Sequence, residues 1–155
     1  MTRNTRITVV VAAVVCFALA HGGVSAQTKP AADADSVTVT AKYAGKGPVD
    51  ASHRIWVWLF ETPDINAGSM PVGEMSIEKN GGTATFTHVT SKEVYVAVAY
   101  DEKGGFMGQA PPPSGSPMAI YGFGLKAAAE DQPVAVVPGP KGKAIVTFAD
   151  TQRMP

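Results

Sequence analysis

Cys16 is the one cysteine in this 155-residue chain, and it lies inside an apolar N-terminal segment. A domain that begins after that segment has no thiol with which to form a disulfide or attack a substrate. Charge is scarce too: 17% of residues are charged, with 13 basic against 13 acidic. The lysines are scattered, and no basic cluster forms the footprint of a nucleic-acid or anionic-membrane partner. There is no Gly-x-Ser-x-Gly elbow, no His-Glu-x-x-His pair and no glycine-rich phosphate loop. After the N-terminal segment, no apolar run approaches the ~20 residues of a spanning helix. These absences point away from an enzyme, and no cofactor is expected.

What is present begins with an export signal. Arg3 and Arg6 form a positive start, and Ile7 to Ala20 is apolar apart from Thr8 and Cys16. His21-Gly-Gly breaks the run, and Val24-Ser25-Ala26 offers the small residues that a signal peptidase accepts. Val14-Val15 precede Cys16 where a lipid-attachment site would want small residues, so Cys16 is read as part of the apolar run. Cleavage of 1–26 as a signal peptide implies a periplasmic or extracellular protein. Of the 155 residues, 129 then remain, and without Arg3 and Arg6 they carry 11 basic against 13 acidic side chains. That length suits one domain with a core of its own. Residues 27–35 read as a disordered lead-in, 36–150 as the domain and 151–155 as a tail.

The domain is organised around Arg54-Ile-Trp-Val-Trp-Leu-Phe-Glu61, a β-branched and aromatic run that holds both tryptophans. It reads as a central strand, with Ile55, Val57 and Leu59 on one face and Trp56, Trp58 and Phe60 on the other. Val37 to Tyr43 alternates apolar and polar residues, the pattern of a strand with one wet face. Val72 to Lys79 and Thr83 to Val89 flank Asn80-Gly81, a strong hairpin signal. Glu93 to Asp101 is a second buried-type strand, with Val94, Val96, Val98 and Tyr100 opposing Tyr95, Ala97 and Ala99. Residues 102–132 form a long Gly/Pro segment with Pro111-Pro-Pro113 extended and at most one helical turn at 126–130. Pro133 to Val137 and Ala144 to Phe148 are expected to close a last hairpin. The sum is an all-β, antiparallel β-sandwich of about seven strands, immunoglobulin-like or transthyretin-like.

Tyr95-Val-Ala-Val-Ala-Tyr-Asp101-Glu-Lys-Gly-Gly105, then Gly115-Ser-Pro117 and Tyr121-Gly-Phe123, carry a resemblance. Over roughly Val57 to Phe148 the chain resembles a widespread bacterial family of small secreted β-sandwich domains of unknown function. The layout is also similar to that of transthyretin-like and carboxypeptidase-regulatory-like domains. The resemblance implies a fold and an export route rather than an activity. Lys103 and Gly105 stand where the family often has Asp or Asn, and Met118-Ala119-Ile120 where it often has an acid.

Candidate binding residues follow from these runs. Trp56, Trp58 and Phe60 offer either an aromatic platform for a sugar ring or a strand face covered by the long loop. A buried Trp removes ~200 Å² from water, an upper bound of about 5 kcal/mol, which favours cover. Asp101, Phe106, Tyr121 and Phe123 mark the loop as the second contact surface. Asp101 and Glu102 supply carboxylates, but Lys103 stands where a calcium ligand would be needed, so a strand-end turn is the plainer reading. Met70, Met75, Met107, Met118 and Met154 form no pattern with His53 or His88 that selects copper, and no metal ligands are expected. His53 beside Asp50 and Ser52 reads as loop chemistry. The expectation is a non-catalytic binding or structural module whose partner is a protein or a glycan. A carbohydrate-binding accessory domain is the alternative, and a periplasmic metal-binding protein a more distant one.

Overall fold

The computed structural model describes residues 34–66, 68–123 and 132–154. The expected signal peptide at 1–26, most of the expected lead-in and the helical turn allowed at 126–130 lie outside the described residues. Seven strands form an all-β sandwich: β1 (Val37–Tyr43), β2 (Ile55–Phe60), β3 (Gly73–Ile77), β4 (Thr83–Phe86), β5 (Tyr95–Tyr100), β6 (Met118–Ile120) and β7 (Lys143–Phe148). One sheet has the order β4-β1-β7 and the other β3-β2-β5-β6. Among the described residues no helix is long and apolar enough to cross a membrane.

The interior follows from side-chain alternation. Val37, Val39, Ala41 and Tyr43 of β1 meet Ile55, Val57 and Leu59 of β2 and Val94, Val96, Val98 and Tyr100 from the β5 stretch. Full burial of each such aliphatic side chain contributes about 1.5–3 kcal/mol before chain entropy is counted. The opposite face of β2 is buried as well. Trp56 lies across from Ala99 and Trp58 from Ala97 on β5, and these small neighbours leave the two indoles room to lie against the sheet. Phe106, Ala110, Met118, Ile120 and Ile65 then cover them. Three layers result: a sheet, a second sheet, and a blanket of loop.

Three expectations are corrected. The Asn80-Gly81 turn forms, with Gly81 at φ 74°, yet β3 and β4 belong to different sheets. Instead of closing a two-stranded ladder, Asn80 turns its amide onto the Tyr43 backbone, accepting from N–H at 2.9 Å and donating to C=O at 2.7 Å. The last hairpin is absent also. Val136 pairs with Val94, and β7 runs parallel to β1, with Thr40 opposite Ile145. Among the described residues that is the one parallel pair in the strand ladders. Third, the 102–132 segment contains a strand, β6, antiparallel to β5.

Candidate functional site

The β5 strand ends at Tyr100, and Asp101 follows with 6% of its surface exposed. Its N–H donates to Arg54 C=O at 2.9 Å. Its carboxylate accepts the Phe106 N–H at 2.9 Å, closing the 101–106 turn. Phe106 is thereby held against the edge of Trp56, with ring centroids 5.7 Å apart and planes at 74°, and 6.2 Å from the Trp58 centroid. Two residues on, the Gly108 carbonyl accepts the Trp58 Nε1–H at 2.7 Å. One buried carboxylate thus sets the loop that covers the aromatic ridge. Trp58 is 2% exposed and Trp56 7%, so the ridge is a covered surface rather than an open platform. Trp56 Nε1 is buried without a hydrogen-bond partner.

The same end of the sandwich gathers Glu102, Lys103, Asp150 and Arg153. The C-terminal segment returns beside the Gly115-Ser-Pro stretch, with Arg153 bridged to Pro117 and backbone bonds joining Met154 to Gly115 and Ser116 at 2.9 Å. The Arg153 guanidinium donates to Glu102 at 2.9 Å and to the Gly115 carbonyl at 2.6 Å, and lies 3.7 Å from Asp150. Between these groups lies a depression of about 220 Å³ lined by Asp101, Lys103, Ser114, Ser116 and Arg153 among others. Behind it Tyr43 stacks on Tyr100 with centroids 4.1 Å apart, and the Tyr43 hydroxyl donates to Asp150. Asp50 and His53 pair at 3.2 Å on a neighbouring turn. The Asp50 carboxylate there also accepts the N–H groups of Ser52 and His53, which makes it a turn cap.

Hydrogen bonding sets the titration of this end. The Arg153 hydrogen bond holds Glu102 below the usual carboxylate range. The Tyr43 hydroxyl does the same for Asp150, helped by the Lys46 N–H and by Arg153. Burial, and then the hydrogen bond to Asp150, raises Tyr43 above the ordinary tyrosine range. A depressed carboxylate stabilises the fold fully above its unfolded pKa, roughly 4, and that contribution is lost as pH falls through the folded value. A raised tyrosine contributes below its unfolded value, roughly 10, and loses it as pH climbs. Thermal melts should therefore fall off below about pH 4, and Arg153→Met should flatten that acid limb. An unchanged limb in the variant would show that the Arg153 pairs do not set it.

The sequence-chosen residues divide. Trp56, Trp58, Phe60 and Phe106 come together in one apolar layer, and Asp101 is tied to it through Phe106. Tyr121 packs instead on the interior core, and Phe123 lines a shallow groove with Met118 and Gln152. Arg153, Ser114 and Ser116 were not singled out from the sequence. Arg153 carries no local signal, and only the fold brings it to Glu102. Among the described residues no group of three or more His, Asp or Glu side chains gathers as a metal site would require. Compared with protein-family models, curated proteins and solved structures, the chain matches none.

Proposed function

We propose that the protein is an exported, non-catalytic binding module that works in the periplasm or outside the cell and contacts its partner through the depression between Asp101 and Arg153. The observation that carries the reading is convergence. The 101–103 turn and the 113–116 stretch meet Arg153 there, brought from much later in the chain, and Arg153 is already paired with Glu102 and Asp150. The rim held by Arg153 offers hydrogen-bonding groups at Ser114, Ser116 and Lys103, rather than a nucleophile with a base beside it. Such a surface suits a polar partner, a glycan or a protein loop. The covered state of Trp56 and Trp58 moves the carbohydrate reading from the ridge to this depression.

The strand order bears on the fold family. An immunoglobulin constant arrangement keeps its first two strands in one sheet, whereas β1 and β2 here lie in opposite sheets. That supports the transthyretin-like alternative.

The test is a titration of ¹⁵N-labelled protein with a panel of soluble oligosaccharides, followed by product analysis. Amide shifts are expected to cluster at Lys103, Ser114 and Ser116 and to vanish in Ser116→Tyr, with every oligosaccharide recovered intact. Turnover of any sugar would overturn the non-catalytic reading. Shifts that cluster elsewhere would overturn the choice of surface.

A further inference from the structure

A different region of the molecule leaves a strand edge exposed. The β7 strand is the outer strand of its sheet. Thr38 N–H donates to Gly142 C=O at 2.8 Å, and Ala44 N–H donates to Phe148 C=O at 2.7 Å. These bonds turn the even-numbered backbone groups of β7 toward β1. The backbone groups of Lys143, Ile145 and Thr147 therefore point away from the sheet, along an edge that no strand among the described residues pairs with. The same three residues carry the exposed side chains of the strand, and Ile145 in the middle is 72% exposed. Neither proline nor a bulge interrupts the β7 ladder, and its one charge is Lys143.

A groove of about 490 Å³ reaches the start of this edge, lined by Tyr121, Val136, Val137, Lys141 and Lys143 among others. Val137 is 65% exposed there. Lys141 and Lys143 enter no ion pair among the described residues. The neighbouring β1 positions on the same sheet face are Thr38, Thr40 and Lys42, so no acid from β1 answers these charges. Threonines Thr83 and Thr85 occupy the β4 positions beyond them.

We propose that the free edge of β7 accepts an extended, acidic segment of another polypeptide as an added strand. Its backbone pairs with Lys143, Ile145 and Thr147. A β-branched residue lies against Ile145, and carboxylates face Lys143 and Lys141. Charge decides between occupants. An antiparallel second copy centred on Ile145 would set Lys143 opposite Thr147 and leave its charge unanswered, whereas a strand that brings acid answers it.

The probe is an acetylated, amidated nonapeptide in which every second residue is threonine. The intervening positions place valine opposite Ile145 and glutamates opposite Lys143 and Lys141 in antiparallel register. Added to the full mature chain, it should slow amide hydrogen exchange at Lys143, Ile145 and Thr147 at least tenfold while leaving the β3 edge unchanged. A version with lysine for glutamate should give no protection. Ile145→Pro removes an N–H that faces outward, so the β1 ladder and the melting transition survive while peptide protection disappears. Protection by the lysine peptide to the same degree overturns the proposal. So does the absence of protection at all three amides, or protein that self-associates through this edge without peptide.

Discussion

Trp58→Ala is expected to lower the stability of the fold by about 4 kcal/mol, within the range for truncating a buried aromatic side chain. In a domain of this size that corresponds to a fall of roughly 15 °C in Tm. Two losses add. The indole leaves a void against Ala97 and Phe106, and the Gly108 carbonyl loses the donor it meets at 2.7 Å. Substitution by phenylalanine separates them, because it keeps most of the ring and removes only the N–H. Trp58→Phe should cost about 1–2 kcal/mol. Trp56→Phe should cost less, since the Trp56 N–H is buried without a partner and its removal relieves a desolvated donor. Urea unfolding of the three variants checks the order. A Trp56→Phe protein weaker than Trp58→Phe would show that the Gly108 hydrogen bond is not what distinguishes the two indoles.

This contrast marks how far residue patterns reach. Both faces of Ile55–Phe60 are apolar in the sequence, which left either a cover on each side or one core face and one binding face, and the structure covers both. The alternation in Val94–Tyr100 likewise told which side chains face the interior, since Val96 and Val98 could not change face without reversing the whole strand. The small partners Ala97 and Ala99 were visible too, although their fit to the indoles depends on the β2–β5 register. Strand partners were less legible. Ala144, Val146 and Phe148 declare an inward face by their period, but period says nothing about whether β7 lies beside 133–137 or beside β1. That choice belongs to the long-range packing that carries the chain from Val136, paired to Val94, across to Gly139, whose N–H donates to Ser36. The Asn80-Gly81 signal was read correctly as a turn and wrongly as a two-stranded ladder, because turn chemistry fixes local φ and leaves the destination of the next strand open.

The candidate site divides in the same way. Asp101 was legible as a strand-end residue that accepts a backbone N–H, and it accepts the one from Phe106. The depression beside it was not legible, because Glu102, Gly115 and Arg153 are brought together by a docked tail. Short-range patterns name residues that close their own turns. They miss residues whose partners arrive from the far end of the chain.

Gly108 is the sharpest case of a residue that the sequence leaves unmarked and the structure requires. It has φ 96°, a region where a side chain is strained, and a Cβ there would run into the Trp56 ring and the Glu74 carboxylate. The backbone has little freedom to retreat, because its carbonyl is the acceptor for Trp58. Gly108→Ala should therefore combine about 1–2 kcal/mol of left-handed strain with about 1–3 kcal/mol of overpacking, roughly 3 kcal/mol in all. Gly105→Ala supplies the control. Gly105 has φ 86°, yet a Cβ there meets nothing within 4 Å, so only the backbone part, about 1 kcal/mol, should be lost. Amide exchange at Phe106 should accelerate much more in the Gly108 variant than in the Gly105 variant, because only the former lifts the cover from the indoles. Equal destabilisation by the two alanines would mean that the loop rests on the ridge loosely enough to admit a methyl group, and the covered aromatic layer would then lose its role in holding the 101–110 turn in place.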